Sequence, residues 1–193
     1  MHPDGFVYIE EFLSETDQQA LVRFGESLHF HPFIMRGQPS RRGIARFGYN
    51  YGTAGGVTDD PLPIPEILLP IRDRAAAAAG LQAADFQSAL FTRYEPGAPI
   101  GWHRDLPMFG PVVLGISLLG RCTFKLRHKD NPKQVLSMIL EPRSLYVLGG
   151  SARSEWEHSI PPARELRYSI TFRSRKNNRG ETKTRREPEV LNA

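Results

Sequence analysis

The chain has 193 residues, a length that buries one substantial core and leaves little room for a second, so a single domain is expected. Hydrophobic residues make up 40% and aromatic residues 10% of it, and no uninterrupted apolar run approaches the ~20 residues of a membrane-spanning helix, which excludes that class. The net charge is +4 with a pI near 9.4, but the basic residues cluster between Arg36 and Arg46 and between Arg173 and Arg186, a pattern that suits a polyanionic partner.

The opening segment MHPDGFVYIEEF has neither the basic start nor the apolar stretch of a secretory signal, and Cys122 is the sole cysteine, so no intramolecular disulfide can form. A cytoplasmic monomer is the resulting expectation.

Ser14 stands before ETDQQALVRFGESL, in which Leu21, Phe24 and Leu28 recur at helical spacing and Asp17 lies three residues after Ser14, as in a capping box. A first helix follows. The spacing predicts a second from about Pro65 through Ile71 and the run Ala75 to Ala79, with Pro65 suited to its first turn and Gly80 to the position just past its end. Between them, RGQPSRRGIARFGYNYG combines basic and aromatic residues. Tyr49 and Tyr51 could stack on a base while Arg41, Arg42 and Arg46 meet phosphates, which reads as a lid over nucleic acid. The same residues also suit an ordinary core strand with Phe47 and Tyr49 buried.

From Phe86 onward short β-branched and aromatic runs alternate with Gly, Pro and Asn: QSALFTRY, VVLGISL, CTFKLRH, QVLSMIL, SLYVLG and RYSITFR. The expected fold is α+β and mainly β, a double-stranded β-helix or jelly roll with the N-terminal helices packed on one sheet. Residues 1–175 would form the domain, with 1–85 supplying helices and lid and 86–175 the jelly-roll core. Residues 176–193 would form a basic, flexible tail.

The sequence WHRD puts His103 and Asp105 two residues apart, so on extended backbone both side chains point the same way. Alone this is a weak signal, because six His and eight Asp in 193 residues produce an H-x-D by accident in about one chain in four. A second histidine, His158 in the strand-like EWEHSI, would complete the two-histidine, one-carboxylate set of non-haem iron(II) oxygenases, if a late strand folds back beside an early one. In RYSITFR, alternation sends Arg167, Ser169, Thr171 and Arg173 to one face and Tyr168, Ile170 and Phe172 to the other. Two arginines on one face can hold a small dicarboxylate between planar, permanently charged forks, although an edge strand with its polar side in water would show the same pattern.

Together these motifs resemble the AlkB family of iron(II)/2-oxoglutarate dioxygenases over roughly residues 88–173. RYEPGAPIGWHRD resembles the family's segment of a tyrosine, a Pro/Gly turn and H-x-D; RYSITFR is similar to its R-x-N-L-T-F-R; SLYVLGGSARSEWEHSI is similar to the approach to its distal histidine. The resemblance implies that His103, Asp105 and His158 bind iron(II), that Arg173 engages the C1 end of 2-oxoglutarate, and that Arg167 with Tyr94 takes the C5 carboxylate, with Thr92 and Ser169 standing where many members have asparagine. It also implies use of O2, decarboxylation of 2-oxoglutarate to succinate and CO2, and oxidative demethylation of alkylated bases in DNA or RNA, or modification of tRNA. Tyr49, Tyr51, Arg46 and Arg104 would then face the nucleic acid. A dioxygenase of a protein or small molecule is the other outcome. The family's repair enzymes carry an acid two residues after the metal aspartate, and here that position is Pro107.

Overall fold

The computed structural model describes residues 2–35, 38–48 and 62–175. Its elements in chain order are β1 (Phe6–Ile9), α1 (Glu15–Ser27), β2 (His31–Met35), β3 (Gln38–Gly48), α2 (Leu69–Ala78), β4 (Phe86–Tyr94), β5 (Ile100–His103), β6 (Phe109–Leu119), β7 (Cys122–His128), β8 (Val135–Leu140), β9 (Leu145–Leu148), α3 (Gly150–Ser154), β10 (Trp156–Ile160) and β11 (Arg167–Arg175). The tail expected at 176–193, and Tyr49 and Tyr51, lie outside the described residues. No helix among the described residues is long and apolar enough to cross a membrane.

The two longer helices, α1 and α2, form for the reasons their sequences advertise. The Ser14 hydroxyl accepts from the Asp17 N–H at 3.0 Å, and the Asp17 carboxylate accepts from the Ser14 N–H at 3.1 Å. Two orphan donors of the first turn are thereby satisfied. α2 starts later than expected, because Pro65 leads into a 3-10 turn at Glu66–Leu68 before the α-helix begins. Gly80 follows it at φ +70, the left-handed conformation in which glycine ends helices without strain.

Two antiparallel sheets stack as the jelly roll requires. The major sheet runs β1-β9-β6-β11-β4-β3-β2 and the minor sheet β5-β10-β7-β8. One face of the major sheet carries the helices: Leu21, Leu68, Ile71 and Ala75 pack on Phe47, Phe91, Leu114, Ile116, Tyr168, Ile170 and Phe172. α1 comes so close that a Cβ on Gly25 would stand 2.9 Å from the Phe91 ring. The other face meets the minor sheet through Phe6, Tyr94, Val113, Phe124, Leu126, Tyr146 and Trp156.

Strand pairing decides two readings that the sequence left open. The segment read as a lid is, over Gln38–Gly48, a strand of the major sheet, because β3 pairs residue for residue with β4 from Arg42↔Tyr94 to Gly48↔Ser88. Side chains alternate at the strand period, so Phe47 is buried against the helices while Arg42, Ile44 and Arg46 face the minor sheet. The strand RYSITFR is no edge: β11 lies between β4 and β6, with its polar side turned into the molecule.

Candidate active site

β10 returns beside β5 in antiparallel register with His158 directly opposite His103. Cross-strand neighbours point to one face, and the two imidazole rings stand 4.1 Å apart between centroids. Asp105 leaves the end of β5 with its side chain buried, and its Oδ2 reaches 3.9 Å from His158 Nε2. From the opposite sheet, Arg173 Nε donates to Asp105 Oδ1 at 2.7 Å. The three side chains that sequence spacing left dispersed, together with Arg173, line one cavity of about 290 Å³ between the sheets.

Electrostatics tunes these groups in a consistent direction. Burial pushes His158 down to about 3, with His103 adding to the shift, and burial also lowers His103. Both imidazoles are therefore neutral near pH 7, with lone pairs to offer. Burial alone would raise the Asp105 carboxyl, but Arg173 and, after it, the two histidines override burial and hold it well below the usual carboxylate range. His103 Nδ1 lies 2.9 Å from the Gly101 carbonyl, which places the ring proton there and leaves Nε2 toward the cavity. A ligand histidine anchored through its other nitrogen is the usual second-sphere arrangement at metal sites.

Two neutral imidazoles and one carboxylate are the donors that suit iron(II) with positions left open. Among the described residues no three such donors already stand at coordinating distance around one point. The 3.9 Å between Asp105 and His158 exceeds by less than an ångström the roughly 3 Å edge that ~2.1 Å metal bonds impose. The residues thus fit the metal.

The wall facing the triad is built from three strands in register. The rows Ile44–Thr92–Ser169 and Arg46–Leu90–Thr171 cross β3, β4 and β11, and all six residues line the cavity. Of the residues assigned to 2-oxoglutarate, Tyr94, Thr92, Ser169 and Arg173 reach the cavity. Arg167 lies behind Tyr94, its guanidinium carbon 5.0 Å from the ring centroid and its Nε donating to Ser117 Oγ at 3.0 Å. Its Nη1 is buried with no hydrogen-bond partner among the described residues, an orphaned donor that a bound carboxylate would satisfy. The co-substrate fits as well.

On the substrate side, Arg46 and Arg104 both line the cavity, and Arg104 donates to the Ser154 carbonyl at 3.1 Å. Pro107 instead joins Arg104, Arg153 and Glu157 around a neighbouring depression. Tyr146 and Arg42 are among the wall residues that escaped assignment from sequence as parts of this chamber. Tyr146 lines the cavity, and burial drives its hydroxyl upward. Arg42 also lines it. For Arg42 the signal was present in the i, i+2, i+4 spacing of Arg42, Ile44 and Arg46, which puts all three on one face of a strand.

Comparison with known proteins agrees with this geometry. The profile of the family described as the 2OG-Fe(II) oxygenase superfamily matches residues 5–179. The chain is 30% identical over 139 residues to the alpha-ketoglutarate-dependent dioxygenase AlkB of Salmonella typhimurium, a match covering 66% of this chain and 64% of that protein. It is 45% identical over 86 residues to the alpha-ketoglutarate-dependent dioxygenase alkB homolog 7, mitochondrial, of Mus musculus, covering 44% of this chain and 39% of the relative. It therefore spans less than two thirds of the length of either. The solved structure described as OsALKBH1 superposes with a TM-score of 0.72 at 18% identity, covering 90% of this chain and 100% of that one, which fixes the jelly-roll fold. The chain belongs to the 2OG-Fe(II) oxygenase superfamily, within its AlkB family.

Proposed function

We propose that this protein is an iron(II)- and 2-oxoglutarate-dependent dioxygenase that removes N-methyl groups oxidatively from bases in DNA or RNA. The observation that carries the chemistry is the opposition of His103 and His158 across β5 and β10, with Asp105 held by Arg173 in the same cavity. The bound metal and co-substrate would together supply the oxidising power that breaks an unactivated C–H bond.

The chain's own residues do the positioning. His103, Asp105 and His158 would hold iron(II), and neutral imidazoles with an ionised carboxylate need no proton removed near pH 7 to do so. Arg173 orients Asp105 and presents its fork to the near end of 2-oxoglutarate; Tyr94 and the unpartnered Nη1 of Arg167 take the far carboxylate. Phe109, Phe124 and Ile160 line the same cavity as apolar surface and restrict water beside the reacting groups. Arg46 and Arg104, both lining the cavity, offer contacts for a phosphate backbone.

A second reading, a dioxygenase of a protein or small molecule, is favoured by Pro107 standing where the repair enzymes carry an acid. The experiment that separates them incubates iron-loaded protein and 2-oxoglutarate with methylated single-stranded DNA, methylated RNA and tRNA in separate reactions, following succinate, formaldehyde and product mass. Substrate-dependent succinate with stoichiometric formaldehyde is expected for a methylated nucleic acid. Succinate at the uncoupled background with all three would remove the nucleic-acid reading, and none even in the background would remove the dioxygenase itself.

A further inference from the structure

One cross-strand row of the major sheet holds two arginines on either side of a tyrosine. Arg42 of β3 is opposite Tyr94 of β4, and Tyr94 is opposite Arg167 of β11. Opposed residues on adjacent strands project to the same face, so both arginines flank Tyr94 on the side that looks toward the metal ligands. They differ in access. Arg167 is 1% exposed and lies behind the Tyr94 ring. Arg42 lines the cavity, with its guanidinium carbon 4.5 Å over the Phe33 ring.

A buried guanidinium requires compensation, since an ion taken from water without a partner is costly. Arg42 is only 9% exposed. None of the ion pairs among the described residues involves Arg42; besides burial, the Tyr94 hydroxyl and the like-charged Arg173 and Arg46 act on its charge. Phe33 and Tyr94 soften the cost, as an aromatic face and a hydroxyl can, but neither is an anion. A planar fork beside a tyrosine hydroxyl is a recognition element for a carboxylate.

We propose that Arg42 binds a carboxylate inside the cavity and is a specificity-determining residue of the site. This inference rests on the dioxygenase reading. The row shared with Tyr94 and Arg167 points first to the distal carboxylate of 2-oxoglutarate, clamped from two strands; an acidic group on the primary substrate is the other source of the same chemistry.

Calorimetric titration of the manganese(II)-loaded protein, without turnover, separates the two. The ligands are 2-oxoglutarate, 2-oxopentanoate (in which a methyl replaces the distal carboxylate) and, with protein already saturated in 2-oxoglutarate, glutarate. The variants are Arg42→Gln and Arg42→Lys, with circular dichroism confirming that each is folded. Arg42→Gln is expected to weaken 2-oxoglutarate roughly 10- to 100-fold, the scale of a lost charged hydrogen bond. It should leave 2-oxopentanoate unchanged, with Arg42→Lys intermediate. Unchanged 2-oxoglutarate binding with loss of glutarate binding would support the proposal and assign the carboxylate to the primary substrate. Equal affinities of wild type and Arg42→Gln in every titration would overturn it, as would equal weakening of 2-oxoglutarate and 2-oxopentanoate. Should the wild type bind no 2-oxoglutarate, the dioxygenase reading falls, and a titration with glutarate alone, wild type against Arg42→Gln, still reports on Arg42.

Discussion

At the scale of single residues, the centre is organised by one carboxylate. Asp105 is buried, accepts from Arg173 at 2.7 Å and faces His158 at 3.9 Å. Asp105→Ala would remove a proposed metal ligand and also one partner of the buried Arg173 guanidinium, and breaking one side of such a pair costs roughly 3 kcal/mol. The variant is expected to show that loss in urea denaturation of the metal-free protein, together with loss of metal binding by calorimetry. Retained metal affinity would remove Asp105 from the ligand set.

The histidines make a second residue-scale claim, about pH. His158 is pushed from the ordinary 6.5 down to about 3 in the folded protein. Between those values the unfolded chain carries a proton at this residue that the folded chain refuses, so stability falls as pH drops from about 6.5 toward 3. Asp105, also depressed, acts in the same direction below the ordinary carboxylate value of 3.8. The midpoint of thermal unfolding of the metal-free protein should therefore decline steadily on acidification through that window, and His158→Gln should flatten the decline. An acid profile identical in the two proteins would show that His158 does not titrate this way.

At the scale of elements, the pairing of β6 with β9 shapes the cavity wall. Gly115 is opposite Tyr146, and the Tyr146 ring crosses it so closely that a Cβ on Gly115 would fall 2.0 Å from Cζ. An aromatic side chain covering a cross-strand glycine is a known device for fixing register. Gly115→Ala must push that ring toward the cavity it lines, and overpacking of this kind costs about 1–3 kcal/mol. The expected result is a destabilised protein with weakened 2-oxoglutarate binding in calorimetry; unchanged affinity would show that the ring has another place to go.

The elements also show which features were legible in the sequence. The Ser14–Asp17 cap, the alternation in RYSITFR and the H-x-D at His103 are local patterns, fixed by backbone periodicity within a few residues. The fold built the cap and the alternation as read, and it places Asp105 just past the end of β5 rather than on the strand. β1 is only Phe6–Ile9, and what makes it a strand is its register with β9, some 140 residues away. β3 misled for a related reason: arginines alternating with apolar residues suit a nucleic-acid contact and a strand facing a polar cavity equally well. Pairing with β4 decides between them. Arg42 could be seen as a basic residue, but its burial over Phe33 is a property of the packed chamber, to which Arg173 and Tyr94 contribute from other strands.

At the scale of the whole molecule, the site belongs to neither sheet alone. His103 and His158 stand on β5 and β10 of the minor sheet, with Asp105 just beyond β5, whereas Arg173, Arg167, Tyr94 and Arg42 stand on β11, β4 and β3 of the major one. A metal held by the triad strengthens chiefly the minor sheet. A co-substrate lying between that triad and the β11 arginines ties one sheet to the other, and each ligand then stabilises the fold partly through the presence of the second. Manganese(II) or 2-oxoglutarate alone should raise the unfolding temperature little. The two together, at about 100 times their dissociation constants, would each contribute up to about 2.7 kcal/mol, and for a chain of this size every kilocalorie moves the midpoint by roughly 2–4 °C. The combined shift should therefore exceed the sum of the separate shifts by several degrees. Arg173→Leu, which cuts the tie on the major-sheet side, should reduce the excess toward zero while keeping the shift due to manganese(II). Strictly additive shifts in the wild type would mean that the metal and the co-substrate occupy sites that do not communicate, and the bridge between the sheets would have to be abandoned.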